Sequence, residues 1–159
     1  MKVSAFTGND NYFEDFVPGA VIRHARGKTV EALENVMITN LVMNTAQGHF
    51  NEHAMKRSRF GRRITFGGVT AALIIGLCSQ DTAENALAEL SLDNVRFSQP
   101  VFHGDTLYAF TEVLAVGPSD REDAGIVRFR HWGVKEDDTI VFEGERRVLV
   151  KRRSHWGSA

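Results

Sequence analysis

The sequence predicts an α+β domain in which a curved antiparallel sheet folds around one apolar helix. Three observations lead there. Gly67 to Ser79 carries Val69, Ala71, Ala72, Leu73, Ile74, Ile75, Leu77 and Cys78 without a charge, and a helix that is apolar all round must be enclosed by other elements. After residue 95 the hydrophobic period becomes two, as in strands that bury one face. Glu143, Glu145 and Arg147 then share a strand face, so only the opposite face of that sheet is covered. A sheet in need of a cover and a helix in need of a sleeve answer each other.

Composition narrows the class. The 159 residues are 43% hydrophobic and 25% charged, with a net charge of −1, which suits a single domain spanning 1–159 with an ordinary core. No basic excess points to nucleic acid. The apolar helix is too short to cross a membrane, and the N-terminus has no apolar run of signal-peptide length. The single cysteine, Cys78, excludes an intrachain disulfide framework, fits a reducing cytoplasm and reads as a small core residue.

In chain order, residues 1–11 are polar and expected to be loosely held. Tyr12, Phe13 and Phe16 anchor an entry segment closed by the Pro18-Gly19 turn. Ala20 to Thr29 reads as a strand. From Val30 the period becomes helical, with Leu33, Val36, Met37 and Leu41 recurring and Glu31 and Glu34 at the positive end; this helix should stop near Met43. A short surface helix over Asn51 to Ser58 ends at the Arg59-Phe60-Gly61 corner, and the apolar helix runs from Gly67 to about Gln80. Ala83 to Leu90 reads equally as a short helix or a loop. Val95 to Phe97 leads to Pro100. Thr106 to Val116, Ile126 to Val134 and Thr139 to Lys151 are strands, the first alternating Leu107, Ala109, Thr111 and Val113 against its other face. Exposed sheet edges favour a dimer.

Asn44, Gln47, His49, Asn51, Glu52 and His53 form a polar cluster ahead of the apolar helix. His49, Glu52 and His53 match H-x-x-E-H, a zinc pattern, but a catalytic zinc needs a third protein ligand and Gly48 and Phe50 disfavour a helix there. No metal is expected. Asn44 and His49 suggest other chemistry. An imidazole takes and returns a proton near neutrality, and a carboxamide can hold a water against it. Gly67 and Gly68 open the apolar helix, where free N–H groups can steady developing negative charge. Together these suit addition of water across a double bond conjugated to a thioester carbonyl. The alternative is that Asn44 caps the preceding helix and His49 is a satisfied loop histidine.

Several motifs make the sequence resemble the MaoC-like hydratases and dehydratases over about Tyr12 to Val150. They are Tyr12-Phe13-Glu14-Asp15-Phe16 with Pro18-Gly19, Gly27-Lys28-Thr29-Val30, Arg59-Phe60-Gly61 followed by Gly67, Val95-Arg96-Phe97, Pro100-Val101 and Gly104-Asp105-Thr106-Leu107. The resemblance implies the hot-dog fold and action on acyl thioesters. The family's D-x-N-P-x-H motif places its histidine on His49 and its aspartate on Asn44, with the oxyanion amide on Gly67. Asn44 replaces aspartate, Ala46 asparagine and Gln47 proline. The mesaconyl-CoA and itaconyl-CoA hydratases look similar here, including Asp81-Thr82 and Val101-Phe102-His103-Gly104-Asp105. Their substrates are branched five-carbon dicarboxylic acids on coenzyme A, and the length of this chain tilts the expectation toward the itaconyl-type reaction.

The expected activity is therefore reversible hydration of an enoyl-CoA-type thioester by Asn44, His49 and Gly67, with coenzyme A as part of the substrate and no separate cofactor. Arg59, Arg62, Arg63 and Arg96 are candidates for its phosphates or a free carboxylate, beside Gln47, Gly68 and His103 as pocket residues; a solvated basic face is the alternative for the arginines. A thioesterase and an inactive acyl-CoA-binding or regulatory protein are the competing readings.

Overall fold

The computed structural model describes Lys2–Val3 and residues 11–157. Its framework is a six-stranded sheet in the order β1-β2-β4-β5-β6-β3. The strands are β1 (Lys2–Val3), β2 (Val21–Thr29), β3 (Ala86–Phe97), β4 (Thr106–Pro118), β5 (Ala124–Lys135) and β6 (Ile140–Lys151). β1 joins β2 in parallel, and every other pairing is antiparallel. Of the N-terminal segment expected to be loose, Lys2 and Val3 are thus paired; 4–10 lie outside the described residues.

Helix α1 (Ala32–Leu41) follows β2, the one-turn helix α2 (Glu52–Met55) follows the polar cluster, and α3 (Gly67–Thr82) crosses the concave side of the sheet. A last turn, α4 (Arg153–Trp156), follows β6. Period-two patterning explains how the sheet takes α3. Leu107, Ala109, Thr111 and Val113 of β4 are all buried, as are Phe142, Gly144, Arg146 and Val148 of β6. Glu143 and Glu145 point outward and pair with Arg130 and Arg128 of β5. The sheet comes close to α3 at Gly133, where a Cβ would lie 2.2 Å from Ile74 Cδ1.

Three expectations need correction. Ala83 to Leu90 forms neither a helix nor a loop beyond Asn85: its second half starts β3, because pairing with Val150, Leu149 and Val148 of β6 outweighs the helix preference of Ala, Glu and Leu. α3 is not enclosed on all sides. Val69, Ile74 and Cys78 are buried against the sheet, while Ala72 and Gly76 open to solvent. In α1 the apolar spacing located the helix but not its inner face: Asn35 and Thr39 are buried, and Leu33 and Leu41 are 70% and 81% exposed.

Candidate active site

The site loop begins where α1 stops. Met43 takes a left-handed conformation (φ 57°), and Met43 N–H donates to Asn40 O while Asn44 N–H donates to Thr39 O, both at 3.0 Å. These two bonds make a Schellman cap, usually built on glycine. Asn44 then spends its side-chain carbonyl on Ala46 N–H at 3.0 Å, leaving its amide hydrogens as donors.

A 3₁₀ turn over Gln47–His49 carries the histidine inward, where it is buried. His49 Nδ1 lies 3.0 Å from Ile64 O. A carbonyl can only accept, so Nδ1 carries the proton and Nε2 keeps a free lone pair. Ile64 N–H returns a bond to Gly48 O at 3.1 Å, and the imidazole packs 5.5 Å from the Phe66 ring. The histidine therefore sits beside the start of α3. Val69 and Thr70 N–H both donate to Phe66 O, which leaves Gly67 and Gly68 as the first-turn amides available to a ligand. A Cβ at Gly68 would lie 2.4 Å from the Phe66 ring, and one at Gly67 would lie 3.3 Å from Phe97 of β3. Two close approaches explain the paired glycines.

Among the described residues no hydrogen bond joins Asn44 to His49 directly. The half of the helix-cap alternative that concerns Asn44 is present in its backbone bond, yet its amide hydrogens remain unused by that cap. The H-x-x-E-H residues disperse: His53 meets Arg57 at 2.8 Å on the surface, and Glu52 meets Arg63 at 2.9 Å. That guanidinium holds the Glu52 carboxyl below its ordinary range. No group of three potential metal ligands occurs among the described residues.

The pocket candidates separate as well. Gln47 is exposed and accepts from Asn51 at 2.9 Å. Arg59 and Arg62, both exposed, lie over the rings of Phe60 (4.6 Å) and Phe102 (3.9 Å) as a cationic shelf, while Lys135, 5.4 Å from the Phe102 ring, is paired with Asp105 at 2.6 Å. His103 has a buried Nε2 without a partner among the described residues, and burial, reinforced by Arg63, pushes its pKa down. Arg96 is not on that shelf. It lines a polar groove of about 270 Å³ with Arg130, Glu143 and Glu145 on the outer face, whereas its neighbour Phe97 faces Gly67.

Two features escaped the sequence. Asn35, wholly buried, lies between His49 and Phe66; an asparagine inside a helix at the centre of apolar spacing was the available signal. A buried polar chain also crosses the core. Arg146 donates to His131 Nε2 (3.4 Å), His131 Nδ1–H to Thr111 Oγ1 (2.7 Å), Thr111 O–H to His24 Nε2 (2.7 Å), and His24 Nδ1–H to Asp81 (2.6 Å). Arg146 also pairs with Glu89 on β3. Inward alternation of Thr111 was legible, but its partners come from β2, β5, β6 and α3.

A curved antiparallel sheet around α3 is the hot-dog fold, which the MaoC-like dehydratases share. The chain belongs to the mesaconyl-CoA hydratase family, whose model matches residues 5–152. It is 34% identical to a beta-methylmalyl-CoA dehydratase of Chloroflexus aurantiacus, covering 94% of this chain and 47% of that protein. A crystal structure of a MaoC domain protein dehydratase from Chloroflexus aurantiacus superposes with a TM-score of 0.86 at 33% identity, covering 92% of this chain and 46% of the other. For the fold alone, a Mycobacterium tuberculosis protein with a double hotdog fold gives a TM-score of 0.83 at 21% identity, over 96% of this chain and 47% of that one. The chain thus spans about half the length of these relatives.

Proposed function

We propose that this chain supplies the catalytic site for reversible hydration of a branched five-carbon dicarboxylyl-CoA, of the itaconyl-CoA or mesaconyl-CoA kind. The observation that carries this reading is His49, whose Nδ1 is tied to Ile64 O so that a basic Nε2 is presented beside the glycine-opened start of α3. A water accepting from the Asn44 amide and donating to His49 Nε2 loses its proton to the imidazole as its oxygen bonds the β-carbon. In the mesaconyl-type ester, whose double bond is conjugated to the thioester, the double-bond electrons move toward the thioester carbonyl, whose oxygen is steadied by Gly67 N–H. An itaconyl ester, with its double bond one carbon further on, enters this step only after an α-proton has moved to the γ-carbon and brought the bond into conjugation. The imidazolium then returns the proton to the α-carbon. A positioned base contributes ~10²–10⁴ in rate and one oxyanion donor ~10²–10³. No separate cofactor is required, and the shelf of Arg59 and Arg62 suits the phosphates of coenzyme A.

The reading extends to assembly. The open face of α3 and the unpaired edge of β3 border an apolar groove of about 640 Å³ lined by Ile75, Ala83, Leu90 and Leu92, which fits a second hot-dog unit, most simply another copy of this chain. No helix among the described residues is long and apolar enough to cross a membrane. With its one thiol buried, the chain suits the cytoplasm.

The test is a panel of itaconyl, mesaconyl, methylcrotonyl and crotonyl esters of coenzyme A, followed by loss of the conjugated double bond. Turnover of a dicarboxylyl ester in preference to crotonyl-CoA is expected. Release of free thiol instead would show a thioesterase, and tight binding without turnover would show a binding protein.

A further inference from the structure

We infer that Asn35 is a positioning residue, fixing the separation between the base and the oxyanion amide. The inference rests on the hydratase reading of His49 and Gly67. One carboxamide bridges the two sides of the site: Nδ2 donates to His49 O at 3.4 Å, and Oδ1 accepts Phe66 N–H at 2.9 Å. His49 O cannot donate and Phe66 N–H cannot accept, so the amide has a single orientation. Thr39 Oγ1 donates to Asn35 O at 2.5 Å and pins the residue within α1.

The consequence follows from where these bonds end. Phe66 immediately precedes Gly67, and His49 O belongs to the residue that carries the base. Ile64 fixes the direction of the imidazole, while Asn35 fixes its place relative to α3. An apolar side chain at this wholly buried position would leave Phe66 N–H and His49 O without partners. Asparagine is a poor residue for a helix interior, so α1 itself gives no reason for it. The reason lies in what it joins. Catalytic groups displaced by about 1 Å can lose about a hundredfold in rate.

Asn35→Asp discriminates between positioning and bulk structure. Protonated, the introduced carboxyl copies the amide, its carbonyl accepting Phe66 N–H and its hydroxyl donating to His49 O. Ionised, it keeps the first bond and loses the second. Burial holds its pKa up, so the ratio of variant to wild-type kcat, per folded protein, should be near one at low pH. It should fall by about a hundredfold as pH rises, with KM little changed. Asn35→Ala should show the loss at every pH. A ratio independent of pH, or a folded Asn35→Ala variant with unchanged kcat, would overturn the role.

A readout without substrate keeps the two claims separate. Hydrogen exchange at Phe66 N–H should quicken at least tenfold in Asn35→Ala, the equivalent of about 1.4 kcal/mol of lost protection. If wild type hydrates no enoyl ester but exchange quickens, the hydratase reading fails and the clamp stands. Unchanged exchange defeats the clamp itself.

Discussion

At the residue scale, the site depends on which nitrogen of His49 carries the proton. Because Ile64 O takes Nδ1–H, Nε2 is the nitrogen left to act as base. His49→Ala should therefore lower kcat by at least about a hundredfold while the protein still folds, at a lower melting temperature because Ile64 O loses its partner, as enoyl-CoA turnover and thermal unfolding will show. Asn44 orients the water by donating to it, whereas a carboxylate in its place would orient the water by accepting its second O–H. Asn44→Asp keeps the local bond to Ala46 N–H and adds a second proton acceptor, so turnover should stay within about tenfold of wild type. A dead but folded variant would show that the amide donor itself is essential. His131 offers a different measurement. Burial first, then Arg146 and His24, push its pKa well below the ordinary histidine value of 6.5. The unfolded chain binds this proton near pH 6.5 and the folded chain does not, so the folded state loses stability as pH falls below that value. The slope is about 1.4 kcal/mol per pH unit until the depressed folded pKa is reached. Denaturant unfolding between pH 7 and pH 5 should show it, and His131→Gln should flatten that part of the profile.

At the element scale, α3 has two unlike faces. One meets the sheet so closely that Gly133 has no room for a side chain against Ile74. Gly133→Ala should destabilise the fold by about 1–3 kcal/mol through overpacking, measured by urea unfolding, and Ile74→Ala should cost about 2–5 kcal/mol through the cavity it leaves. The double variant should recover part of the loss, since the new methyl occupies space that Ile74 vacates. Burial at Cys78 pushes its thiol up to about 12, so this residue packs as a small apolar group and should react slowly with thiol reagents in the folded state.

At the scale of the whole molecule, the open side of α3 continues onto β3, which leaves Leu90, Leu92, Val95 and Phe97 exposed at the end of the sheet. An apolar edge strand of this length is a docking surface unless covered, and Phe97 also touches the place where a Cβ of Gly67 would stand. On the proposed assembly, Leu90→Glu with Leu92→Lys should yield a monomer by sedimentation and reduce turnover, because β3 would then carry both the seam and Phe97 beside Gly67. A wild-type monomer with full activity would separate them.

Local pattern alone determined much of this protein. Period two in β4, β5 and β6, the uncharged run of α3 and the turn at Pro18-Gly19 each encode their element in neighbouring residues, and the order from Asn44 through His49 to Gly67 supplied the residues on which the proposed chemistry rests. What only the tertiary structure decided is which surfaces meet. Ala86 to Leu92 became a strand because β6 offered it hydrogen bonds. Asn35 faces the interior because His49 and Phe66 need its two polar ends. Arg96 faces outward because Phe97, one residue on, faces α3. Each of these choices depends on partners distant in sequence, and a periodicity read along one segment contains no information about them.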